Sequence, residues 1–121
     1  MTTLEEQESL SAFAASISSS AEVWGLKTKQ GWALCPSIEF EETEVLPFFS
    51  NKEYATLLCS GDWKHYQPEA IPLTSFLKDW LPGMHEDNAM AGLNWNANLE
   101  GSEVEPSVLA AAIEIAVKAR H

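Results

Sequence analysis

The stretch VWGLKTKQGWALC, residues 23–35, constrains the fold more than any other. Large apolar residues alternate with other types on both sides of a polar turn: Trp24 and Leu26 before it, Trp32 and Leu34 after it. Alternation with a period of two marks the strands of a hairpin. A one-residue change in register sends every side chain of a strand to the other face. A two-residue loop would place Trp32 and Leu34 opposite Trp24 and Leu26. A three-residue loop, Lys29-Gln30-Gly31, places all four on one side, and Gly31 is the residue type suited to the left-handed position that closes such a loop. The pattern therefore predicts the three-residue loop, with both tryptophans buried in a common core.

The flanking segments follow from similar logic. Leu10, Phe13, Ala14 and Ile17 recur at helical spacing. Thr3 with Glu6 matches a capping box, and the serines at 18–20 end the helix, so a helix is expected over about residues 4–18. Residues 45–49, VLPFF, read as a short buried strand with Pro47 near an edge or bend. Ser50 with Glu53 forms a second capping box opening a helix that buries Tyr54, Leu57 and Leu58. A strand is expected near residues 64–66 or 70–73. A helix starting at Thr74 or Ser75 then buries Phe76, Leu77, Trp80 and Leu81 and stops at Pro82-Gly83. Leu93, Trp95, Ala97 and Leu99 alternate with polar or small residues as a half-buried strand. Pro106 opens a last helix that is apolar around most of its girth from Val108 to Val117, so it is either deeply buried or shared with another copy of the chain. The order α-β-β-β-α-β-α-β-α, with no repeat or linker, predicts one compact α+β domain over residues 1–121. Its sheet would be mostly antiparallel, of four to five strands, with helices packed on it.

Charge narrows the partners. Eighteen acids against seven bases give a net charge of −11, and such a field repels phosphates at long range. Nucleic acid and anionic membrane surfaces are therefore excluded as expected partners. A basic protein fits better. No apolar run reaches the ~20 residues of a bilayer span. The opening residues are polar and acidic rather than those of a secretory leader, so a cytosolic protein is expected. Cys35 and Cys59 are too few for a disulfide framework and sit in apolar contexts, which predicts buried reduced thiols.

The pieces VWGLKTKQGWAL, VLPFFSNKEYA, IPLTSFLKDWLPGM and GLNWN with EVEPSVLAAAI occur in an order that resembles the DUF2750 family, bacterial proteins of unknown function. The resemblance covers nearly the whole chain. A strand followed by LPFFS and a capped helix is also similar to the N-terminal domain of SseB-like proteins, over the first half alone. The first resemblance implies a bacterial cytosolic protein. Neither carries a catalytic or cofactor-binding residue across.

The residues themselves show no nucleophile elbow, phosphate loop, dinucleotide fingerprint or zinc motif. Cys59 and His65 lack the electropositive setting that a thiolate nucleophile needs. His85, Glu86 and Asp87 are adjacent on a loop and read as a solvated turn. Glu39, Glu41, Glu42 and Glu44 could ligate a hard cation, but the ordered spacing of a calcium loop is absent. No cofactor or metal is expected. The remaining candidate surface is aromatic and acidic: Trp32, Trp63 and Tyr66 beside Glu39, Glu41 and Glu42. Exposed aromatics anchor protein interfaces. The sequence reading is thus a non-enzymatic protein-interaction domain with a basic partner or a second copy of itself. A small-molecule-binding domain or enzyme of unknown chemistry is the alternative.

Overall fold

A computed structural model describes residues 4–36, 43–59, 64–95 and 101–119. Within them the chain forms α1 (Leu4–Ser20), β1 (Glu22–Thr28), β2 (Gly31–Trp32), β3 (Cys35–Pro36), β4 (Glu44–Phe48), α2 (Lys52–Leu58) and β5 (Gln67–Pro72). A helical stretch follows, with α3 (Leu73–Ser75), a π-helical turn (Phe76–Trp80) and α4 (Leu81–Glu86), and then β6 (Met90–Leu93), β7 (Ser102–Val104) and α5 (Pro106–Ala119). The fold is α+β. One sheet has the order β2-β1-β5 and the other β3-β4-β6-β7. Every pairing is antiparallel except β4 with β6. The sheets join where Trp24 and Phe49 exchange backbone hydrogen bonds of 2.9 and 2.8 Å.

The hairpin differs from its sequence expectation. Lys27 pairs with Trp32 and Thr28 with Gly31, so the loop has two residues, Lys29 and Gln30. Trp32 consequently lies on the face of Gly25 and Lys27, away from Trp24 and Leu26. The expectation rested on β1 having one buried face, and it has two. Val23 packs into a large core built by Phe13, Ile17, Phe48, Phe76, Leu109 and Ile113. Leu26, on the other face, packs with Ala33 and Phe49 beneath Ala55 and Leu58 of α2. Both faces accept a large residue, so burial of the tryptophans does not determine register. Gly31 nevertheless sits at φ +130°, a conformation open to glycine.

Local signals explain the helix ends. α1 stops where Ala21 turns left-handed at φ 61° and its N–H reaches Ile17 O at 2.8 Å. The first capping box involves Thr3, outside the described residues. α2 is capped by Asn51, whose side chain accepts from Tyr54 N–H at 2.9 Å, and not by Ser50. Ser50 is buried and bonded instead to Asn94. Tyr54 and Leu57, expected in the core, are exposed on the outer side of α2. Pro82-Gly83 does not stop the third helical stretch, which continues to Glu86. A proline ring clashes with the carbonyl four residues back and offers no N–H to it. Here the preceding turn is widened, with Leu81 N–H bonded to Phe76 O, and Pro82 enters as the first turn of α4.

β6 is an interior strand, parallel to β4 on one side and antiparallel to β7 on the other. Met90, Ala91, Gly92 and Leu93 are all buried, as a strand covered on both faces requires. Of the alternating stretch expected as a half-buried strand, Gly92 and Leu93 fall in this strand, and Ala97 and Leu99 lie outside the described residues. The strand ends at Asn94, at φ 49°, and residues 96–100 lie outside the described residues.

Candidate functional site

The candidate aromatic surface is divided between two layers. Trp32 is half-buried and meets Trp80 edge-on, with ring centroids 4.6 Å apart at 87°. The Lys27 ammonium stands 5.1 Å from the Trp32 ring centroid. Tyr66 is half-buried against the second core cluster, beside α2. Glu39, Glu41, Glu42 and Trp63 lie outside the described residues. Trp95 is buried, and its indole N–H donates to Ser102 O at 3.1 Å.

The remaining chemical candidates are placed plainly. Both cysteines are free, with Cys35 buried and Cys59 half-buried. The Cys59 thiol donates to Ala55 O at 3.4 Å. Burial pushes both thiols above their ordinary value, which disfavours the thiolate that a nucleophile requires. His65 is exposed, and so are His85, Glu86 and Asp87. Among the described residues no group of three His, Cys, Asp or Glu side chains is placed to hold a metal ion. No described helix is long and apolar enough to cross a membrane.

Two surface features stand out from the packing. The first is the outer face of α5. At about 100° per residue, Val108, Ala111, Ile115 and Ala119 share one exposed stripe, while Leu109 and Ile113 turn into the core and Ala112 packs at its edge. Val108 is 44% exposed and Ile115 70%. Sequence reading flagged this helix as apolar around its girth. Only the packing shows which part is left uncovered.

The second feature is an open cleft of about 780 Å³ at the end of the β1–β5 ladder. Pairing stops at Lys27–Gln67, and beyond it the two segments form the walls. Lys27, Thr28, Lys29 and Gln30 line one side and His65, Tyr66, Gln67 and Glu69 the other. Sequence reading singled out Tyr66 and His65 but did not join them to the opposite wall, because nothing in the spacing links residues 27–30 to 65–69. A smaller depression of about 210 Å³ lies between the end of α4 and the start of α5, with His85, Asn88 and Glu105 on its wall.

Comparison with known proteins gives one match. The family model described as "Protein of unknown function (DUF2750)" matches residues 10–113. No curated protein matches the chain, and no solved structure does.

Proposed function

The chain belongs to the DUF2750 family of proteins of unknown function, and on that premise we propose that it is a non-enzymatic protein-interaction domain of the bacterial cytosol that meets a second copy of itself through α5. The observation that carries the reading is the uncovered stripe, with Val108 44% and Ile115 70% exposed on a helix whose Leu109 and Ile113 pack into the core. Isolated apolar residues are ordinary on a surface, but an apolar stripe along a helix favours a partner.

Charge favours a second copy over a basic partner at this face. The whole chain carries −11, yet α5 holds one acid, Glu114, and one base, Lys118. Charges more than ~8 Å away are largely screened at physiological salt. Two copies can therefore approach here with little of the repulsion that the total charge implies. Ala111, exposed between Val108 and Ile115, lets two helices come close.

Size sets the strength. The helix is roughly 20 Å long, and a strip about 10 Å wide along it falls well short of the ~800 Å² per partner in a stable interface. Weak, concentration-dependent dimerisation is the expected behaviour. Light scattering from about 10 µM to about 1 mM spans the range in which such an association, several kcal/mol in strength, becomes populated. The mass should rise toward that of a dimer, and Ile115→Glu should hold it at the monomer value with an unchanged far-UV circular dichroism spectrum. A wild-type chain that stays monomeric at the highest concentration refutes self-association.

A further inference from the structure

We propose that the cleft at the open end of the β1–β5 ladder is a binding site for a small multivalent anion, a phosphate or polycarboxylate. The argument starts from where the bases lie. The chain has seven Lys and Arg, and Lys27, Lys29 and Lys64 are all at this end of the sheet. Lys27 and Lys29 line the cleft itself, with His65 opposite. In a chain whose acids outnumber its bases by 18 to 7, lysines would be expected to find carboxylates. Among the described residues, neither Lys27 nor Lys29 is paired with one.

The site is also partly organised. Lys27 is held over the Trp32 ring, 5.1 Å from its centroid. A ring attracts the ammonium without neutralising it, so the charge is positioned and still available. The turn that carries Lys29 is fixed by Thr28, whose hydroxyl accepts from Gln30 N–H at 3.1 Å and donates to Gly31 O at 3.4 Å. The side-chain amides of Gln30 and Gln67 add neutral donors to the same walls. One carboxylate, Glu69, opposes them.

The net charge of −11 does not forbid this. With a screening length of ~8 Å at physiological salt, a bound anion responds mainly to the charges lining the cleft. Among the described residues those are two lysines and one glutamate, a local excess of positive charge. The long-range field slows the approach of an anion, whereas the cleft determines its residence. The site is separate from the α5 stripe, so it stands or falls independently of self-association.

The test is a residue-resolved titration of backbone amide shifts with sodium phosphate and, separately, sodium citrate. Ionic strength is held constant with sodium chloride, and chloride alone is the control. Saturable shifts confined to the amides of residues 28–31 and 64–67 are expected with phosphate, citrate or both, and not with chloride. Replacing both lysines, as Lys27→Gln with Lys29→Gln, should weaken the interaction about tenfold or more, because two charge-assisted donors are lost. Glu69→Gln should tighten it about two- to threefold, since it removes the opposing charge without touching a donor. Shifts that rise linearly, match those with chloride, scatter over the surface, or survive the double substitution overturn the site.

Discussion

The two-residue hairpin has a consequence at Gly25 that the three-residue loop does not share. A Cβ placed on Gly25 would lie 2.9 and 3.1 Å from two carbons of the Trp32 ring, and 3.6 Å from Ile71 Cδ1. The first two distances are too short for carbon atoms, so Trp32 must move. Any shift of the ring disturbs its edge-on pair with Trp80, whose centroid is 4.6 Å away. Overpacking of this kind costs about 1–3 kcal/mol. Replacing a strand glycine with alanine returns about 0.5–1 kcal/mol through the unfolded chain. Gly25→Ala should therefore destabilise the fold by a net ~0.5–2 kcal/mol. If the loop had three residues, Gly25 and Trp32 would lie on opposite faces, and the same change would be neutral or stabilising. The sign thus discriminates between the registers. The assay is urea denaturation followed by far-UV circular dichroism, repeated in a Trp32→Ala background where the obstructing ring is gone. There Gly25→Ala should be neutral or stabilising, giving a coupling of about 1–2 kcal/mol between the two sites. An equal effect in both backgrounds would refute the placement of Trp32 over Gly25.

Two further outcomes are expected. Asn94 accepts the Ser50 N–H at 2.8 Å, donates to the Ser50 hydroxyl at 3.1 Å and holds φ at 49°. Asn94→Ala should cost about 2–3 kcal/mol, combining an unpaired buried N–H with left-handed strain, and Asn94→Gly should cost less by about 1 kcal/mol because it keeps the conformation. Equal urea midpoints for wild type and both variants would show that these bonds stabilise nothing. The thiols of Cys35 and Cys59 are raised above 9.0 by burial. The unfolded chain therefore loses these protons first as pH rises, so stability is full below the unfolded thiol value and declines above it. Between about pH 8 and pH 10, wild type should lose more stability than the Cys35→Ala, Cys59→Ala variant. Parallel pH profiles would count against this account.

Parts of the fold that depend on neighbouring residues were legible in the sequence. The stripe Leu10, Phe13, Ala14 and Ile17 specified α1, and Phe13, Ala14 and Ile17 are buried. Pro106 opens α5, and VLPF is a strand. Errors arose wherever one local signal had two tertiary outcomes. Pro82-Gly83 ordinarily ends a helix, yet a wide π turn before it lets the helix continue. Ser50 and Asn51 are both good caps, and Asn51 takes the role while Ser50 bonds to Asn94, 44 residues away.

The two candidate surfaces differ in the same way. The α5 stripe was half legible, because helical periodicity is local and identified the helix as too apolar for one buried face. Which residues remain exposed depended on α1 and the sheet covering Leu109 and Ile113 and leaving Val108 and Ile115 uncovered. The cleft was not legible, since its walls are about forty residues apart and are brought together by the β1–β5 register, from Glu22–Pro72 to Lys27–Gln67. That register is set by burial on both faces of β1. Slipping it by one residue would turn Val23 and Ile71 out of the larger core and present Lys27 to the smaller one. The same two-sided burial that defeated the hairpin expectation is therefore what holds Lys27 over Trp32 and beside Gln67. The position of the cleft lysines is a consequence of core packing, and a substitution that shifts register should abolish anion binding even with every lining residue intact.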